Sequence, residues 1–176
     1  MSEHEAFVAC RCYRDGLTSQ PPVDPKLLDY DRFGQIKPAG LYGMEATEDE
    51  ALWQWWESKA CTHEGMREIC LIWWAEKPGI GVIKEALDAG QVPAVTEVLE
   101  RGSQFDSAVI IAEPELAASA LIELQAVFDR AKGDSERHLL DAGYGFLELR
   151  NLLSASVRTG NPVVGFYNGS SLGFAP

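Results

Sequence analysis

Residues 6–16 read AFVACRCYRDG, and where the alternation in this stretch stops decides the fold of the N-terminal segment. Ala6, Val8, Cys10 and Cys12 fall on one side of a two-residue period, with Phe7, Ala9, Arg11 and Tyr13 on the other, which is the pattern of a β-strand. Asp15-Gly16 closes it with turn chemistry. The strand expected over residues 6–13 carries two of the four cysteines. The others, Cys61 and Cys70, lie in ACTHEGMREIC at residues 60–70, together with His63, one of three histidines.

Outward from this strand, residues 17–34 contain Pro21, Pro22 and Pro25 and read as an irregular surface connection, and a short strand is expected within 35–42. Thr47 and Glu50 have capping-box spacing, so a helix should run to about Ala60, with Leu52, Trp55, Trp56 and the stem of Lys59 on one side. Residues 70–74 read as a buried strand. Pro78 opens a helix whose stripe of Ile80, Ile83, Ala86 and Leu87 ends at Gly90.

Residues 91–100 carry Val92, Val95 and Val98 and fit either a strand or a short helix, the β-branched content tipping the reading toward a strand. Another strand is expected at 107–112. Pro114 then starts a helix with Leu116, Ala120, Leu124, Val127, Phe128 and Ala131 on one face, Ile122 pointing outward and Gly133 at its end. Phe146, Leu149, Leu153 and Val157 mark a last helix closed by Gly160, and residues 163–167 read as a final strand. Helices and strands mix without strict alternation. The expected class is α+β: a single domain over residues 1–176, with a mixed sheet of about five strands and about four helices.

The composition, 46% hydrophobic and 24% charged, suits a globular core. No apolar run approaches the roughly 20 residues that span a bilayer, and the first residues lack a signal-peptide pattern. A cytoplasmic protein is therefore expected, in which thiols stay reduced and paired cysteines suggest buried thiols or a metal rather than disulfides. With 27 acidic and 15 basic residues the formal net charge is −12, which argues against nucleic acid and anionic membranes as partners and for a basic protein. Acidity that serves solubility alone gives the alternative of a housekeeping domain without a basic partner.

Cys10, Cys12, Cys61 and His63 could supply a tetrahedral zinc site of three thiolates and one imidazole. Against it stands the strand, because alternate residues on a strand start about 7 Å apart at Cα. The reading adopted is that Cys10 and Cys12 continue a small apolar core face, with no metal or other cofactor assigned; the zinc site is the first alternative and redox chemistry of the thiols the second. Catalytic signatures are missing. His63-Glu64 would need a histidine at position 67, where Arg67 stands; Gly79-Ile80-Gly81 lacks the third glycine and the lysine of a phosphate loop; there is no Gly-x-Ser-x-Gly; and Cys61 with His63 or His138 shows no local nucleophile motif. No catalytic residue is assigned, and an enzyme is not expected.

Five tryptophans occupy positions 53, 55, 56, 73 and 74. Trp53 falls on the polar side of its helix with Asp49, Glu50 and Glu57. An aromatic ring among carboxylates suits a basic partner, the ring giving contact area and cation-π attraction and the acids giving steering. The competing reading has Trp53 covered by the proline-bearing segment.

The run Cys10-Arg11-Cys12-Tyr13-Arg14-Asp15-Gly16, followed by Pro21-Pro22, resembles the opening of an uncharacterised family of small acidic bacterial proteins, and Cys61-Thr62-His63 is similar to that family's acidic Cys-x-His segment. In size, acidity and lack of a catalytic motif the chain also resembles bacterial toxin-immunity proteins. That likeness implies a protein-interaction module that occludes a basic toxin domain. The alternative from another class is an enzyme or structural metal protein built on Cys10, Cys12, Cys61 and His63.

Overall fold

A computed structural model describes residues 3–22, 28–30, 36–38, 46–58, 60–74, 90–102, 109–131, 133 and 146–168. The elements are β1 (Glu3–Ala9), β2 (Leu28–Tyr30), β3 (Ile36–Pro38), α1 (Ala46–Ser58), a single 3-10 turn (Glu64–Met66), β4 (Arg67–Trp74), α2 (Pro93–Gly102), β5 (Val109–Ala112), α3 (Pro114–Arg130), α4 (Phe146–Thr159) and β6 (Val163–Asn168). The class is α+β, with four helices among the described residues. The main sheet has four strands there rather than the expected five, in the order β4-β1-β6-β5; β2 and β3 pair separately as a two-stranded antiparallel ribbon. Among the described residues no helix is long and apolar enough to cross a membrane.

The chain packs as two compact units, Met1–Val8 with Ile69–Pro176, and Ala9–Glu68. In the first, β6 pairs antiparallel with β1, from Glu3 opposite Asn168 to Val8 opposite Val163, and with β5, from Val109 opposite Gly165. The sheet is thus antiparallel where a mixed one is expected, and β5 and β6 are antiparallel neighbours although α3 and α4 lie between them in the chain. A register shift between Ile110 and Ala112 marks a bulge. Val8, Ile111 and Val163 are fully buried with Val95, Val98 and Leu99 of α2, Ala117, Ala120, Leu124 and Phe128 of α3, and Phe146, Leu149, Leu152 and Leu153 of α4.

Residues 93–102 form a helix where the β-branched content predicts a strand. Val92, Val95, Val98, Leu99 and Gly102 are all buried, and their spacing is that of one helix face, so the helical period outweighs the local propensity. Pro93 stands at the helix start, and Glu123 of α3 accepts hydrogen bonds from the Ala94 and Val95 backbone N–H groups at 3.2 and 2.9 Å. A carboxylate from another helix thus satisfies the Ala94 and Val95 donors that the first turn of α2 leaves without a carbonyl partner in the helix, Pro93 having no N–H to satisfy.

The helix over 114–130 follows its expected stripe, with Ile122 72% exposed on the far side. In α4, Val157 is exposed rather than in the core, while Leu152 and Ala155 are buried beside Phe146, Leu149 and Leu153. Gly160 ends this helix at φ +67, donating its N–H to the Ser156 carbonyl. The helix expected over 78–90 lies outside the described residues, apart from Gly90.

Candidate metal centre

The second unit is built around α1 and a small core of Cys10, Leu52, Trp55, Ala60 and Met66, flanked by Cys12, Tyr13, Trp56 and Cys61. Leu52 and Trp55 are buried on α1 as their spacing predicts, and Trp55 Nε1 donates to Ser19 Oγ at 2.9 Å. Ser19 in turn donates its backbone N–H to the Ala60 carbonyl. The connection after residue 16 is therefore tied to the end of α1 through both backbone and side chain.

The strand expected to continue to Tyr13 stops at Ala9. Cys10 donates its N–H to the Met66 carbonyl at 2.8 Å, and the chain then turns: Asp15 N–H bonds to the Arg11 carbonyl, Gly16 N–H to Tyr13 and Leu17 N–H to Cys12. Cys12 therefore lies in a turn, and the extended separation of alternate strand residues does not apply to it. On the opposing side Gly65 and Met66 adopt φ +53 and +54. Glycine takes this conformation freely, whereas for a residue with a side chain it costs about 1–2 kcal/mol. The strained Met66 turns the chain back from the Cys61–His63 loop into β4 and buries its side chain in the core.

These two reversals bring Cys10, Cys12, Cys61 and His63 together, with one donor atom from each lying within 4.8 Å of all the others. Cys10 Sγ is 3.8 Å from Cys61 Sγ, and His63 Nδ1 is 3.3 Å from Cys12 Sγ and 3.6 Å from Cys61 Sγ. A tetrahedral zinc with Zn–S of about 2.3 Å and Zn–N of about 2.0–2.1 Å requires sulfur pairs about 3.8 Å apart and sulfur–nitrogen pairs about 3.6 Å apart. These three of the six donor–donor separations match that polyhedron to a few tenths of an ångström.

Two smaller features fit the same chemistry. His63 N–H reaches Cys61 Sγ at 3.4 Å, and the Cys12 backbone N–H donates to the Cys10 sulfur. In each Cys-x-ligand pair the second residue thus directs its amide at the first residue's sulfur, and at Cys10 this N–H pulls the thiol's pKa down against its burial. His63 presents Nδ1 to the sulfurs, while its Nε2 lies 3.2 Å from Glu68 Oε2. This carboxylate holds the proton on Nε2 and leaves the Nδ1 lone pair facing the thiols, as the outer partners of metal-bound histidines do. Glu68 has no sequence signal of its own, being one acidic residue at the start of a strand.

Without a cation Cys10 and Cys12 resist ionisation. Burial, foremost, and the neighbouring Cys61 and Cys12 push the Cys10 thiol up, against the opposing pull of the Cys12 N–H. Burial also leads the upward shift of Cys12. A thiol meant as a nucleophile needs the opposite shift, so neither of these cysteines suits covalent catalysis. A dication inverts this logic by compensating the thiolates directly. Cys70 is exposed and does not belong to the group.

The acidic face of α1 is in the same unit. Trp53 is 50% exposed, so it is not covered, and Glu50 and Glu57 are exposed beside it; Asp49 belongs to α1, and its side chain lies outside the described residues. Gln54 Nε2 donates to Glu50 Oε1 at 3.3 Å. Trp53 stands edge-on to Trp56, with centroids 5.4 Å apart and planes at 82°. The Trp56 ring lies against Gly65, where an added Cβ would sit 3.2 Å from Cη2 and Cζ3, and the Arg67 guanidinium carbon lies 5.9 Å from the ring centre. Comparison with protein-family models, curated proteins and solved structures finds no match for this chain.

Proposed function

We infer that Cys10, Cys12, Cys61 and His63 bind one Zn²⁺ in a closed structural site that cross-links the Ala9–Glu68 unit. The observation that carries this is that one donor atom from each of the four residues lies within 4.8 Å of all the others, and that three of the six separations match a tetrahedron of three sulfurs and one nitrogen. Four protein ligands leave no open position for a reacting water, so the metal's role is to hold the fold rather than to catalyse. The ion would join two chain segments about fifty residues apart around a small core, and a core of that size gains much from such a staple. Metal analysis of protein purified without chelator tests this. About one zinc per chain, lost in Cys61→Ser, supports it; protein that is folded and zinc-free contradicts it.

The half-exposed Trp53 between Glu50 and Glu57 favours a second reading, a surface that binds a basic protein, of which a bacterial toxin domain occluded by its immunity protein is one kind. The partner's cationic side chains would meet the ring and the acids together. Capture weakened by Trp53→Ala combined with Glu57→Lys, in a protein that keeps its fold, supports it. Undiminished capture at low salt contradicts it.

A further inference from the structure

We propose that metal loading of the cysteine–histidine cluster organises the Trp53 face of α1, so that the protein binds a lysine- and arginine-rich segment of another protein in its zinc-loaded form and loses that binding when the metal is removed. The proposal rests on both readings above and adds the coupling between them.

The physical link is a continuous run of contacts inside one unit. The loop bearing Cys61 and His63 leads two residues later into Gly65, whose left-handed backbone lies directly beneath the Trp56 ring. Trp56 presents its other contact to Trp53 in an edge-on pair, a geometry that constrains both rings. Cys10, Cys12 and Cys61 pack in the same cluster as Trp56, Leu52 and Trp55. Ligation fixes the loop, the loop forms the floor under Trp56, and Trp56 orients the exposed ring. Without the metal the two chain reversals are joined by the small core and the Cys10 N–H bond to the Met66 carbonyl but not by ligation, so the floor loosens and the pair loses its fixed geometry.

The occupant follows from charge and ring chemistry. Glu50 and Glu57 flank an exposed indole on a chain of net charge −12, which favours cations and repels acidic or phosphorylated segments. The Arg67 guanidinium carbon lies 5.9 Å from the Trp56 ring centre, so one ring of the pair already carries a cation while Trp53 offers its exposed ring to another. A basic segment would lay one Lys or Arg against Trp53 and others near the two carboxylates. By linkage, if zinc strengthens binding of the segment by some factor, the segment must strengthen zinc binding by the same factor.

The test uses the full-length protein and a fluorescein-labelled peptide of alternating arginine and glycine at physiological salt, with zinc content measured on each sample. Zinc-loaded wild type should bind at least about tenfold more tightly than zinc-free wild type or zinc-loaded Trp53→Ala, the size expected for losing a cation-π contact and its buried area. Trp53→Phe should keep most of the affinity, and removing zinc from Trp53→Ala should cost little more. If zinc is stoichiometric but its removal leaves peptide affinity unchanged, the coupling is wrong and the zinc site stands. Equal binding by wild type and Trp53→Ala overturns the face itself. A chain that holds no zinc overturns both the coupling and the reading it rests on.

Discussion

His63 turns Nδ1 toward the sulfurs of Cys12 and Cys61 and Nε2 toward Glu68, whose Oε2 lies 3.2 Å away on the opposite edge of the ring. The carboxylate thereby selects the tautomer that can ligate. Glu68→Gln retains a hydrogen-bonding side chain but loses the charge, and Glu68→Ala loses both. Zinc affinity, measured by competition with a chromophoric chelator, should fall about 10–100-fold in Glu68→Ala and less in Glu68→Gln, while stoichiometry stays at one per chain. Equal affinity in all three proteins would mean that the carboxylate does not position the ligand.

Zinc removal should loosen the Ala9–Glu68 unit first. The Cys10 N–H bonds to the Met66 carbonyl and the Leu17 N–H to the Cys12 carbonyl, both beside the ligands. On chelation these amides should lose hydrogen-exchange protection, while the amides of Leu152 and Leu153 in α4 change far less, since the core they occupy belongs to the other unit. Uniform loss across both units would show instead that the metal holds the whole chain.

The alternating 6–13 stretch shows how far the chemistry was legible in the sequence. The four candidate ligands were visible as residue types, yet a period of two also fits a strand end followed by a turn, and what distinguishes them is the set of turn bonds over residues 11–17 together with the bond from Cys10 N–H to the Met66 carbonyl. That bond joins residues 56 positions apart in the sequence, beyond the reach of local patterning. The helix over 114–130 was legible because its stripe runs for nearly five turns with a proline at its start. Residues 91–102 were not, because three valines favour a strand locally while the burial period and the Glu123 carboxylate, a tertiary partner, favour a helix.

That tertiary cap gives a prediction independent of the metal. Glu123→Ala leaves the buried Ala94 and Val95 N–H groups without their acceptor, at a cost of about 1–3 kcal/mol. Chemical denaturation should show this loss, with zinc content unchanged. A neutral effect would mean that water replaces the carboxylate at the start of α2.

The pH response should reverse with metal loading. In the metal-free chain Cys10 and Cys12 hold their protons more tightly when folded than when unfolded, chiefly through burial. Their contribution to stability is full below the ordinary thiol value of about 8.5 and is lost as pH rises above it, because the unfolded chain then releases protons that the folded chain keeps. In the zinc-loaded chain the ligands are already thiolates, so alkaline pH should cost little, and stability should fall on acidification as protons compete with the metal. Denaturant midpoints of both forms, followed from mildly acidic to alkaline pH, check the two slopes; parallel curves would contradict the assignment of these thiols as ligands.

X-ray absorption at the zinc edge of the purified protein reads the metal polyhedron itself. The account predicts three sulfurs at about 2.3 Å and one nitrogen at about 2.0–2.1 Å, with one sulfur lost from the shell in Cys12→Ser. A shell made only of oxygen and nitrogen, or no zinc in a folded protein, would contradict it.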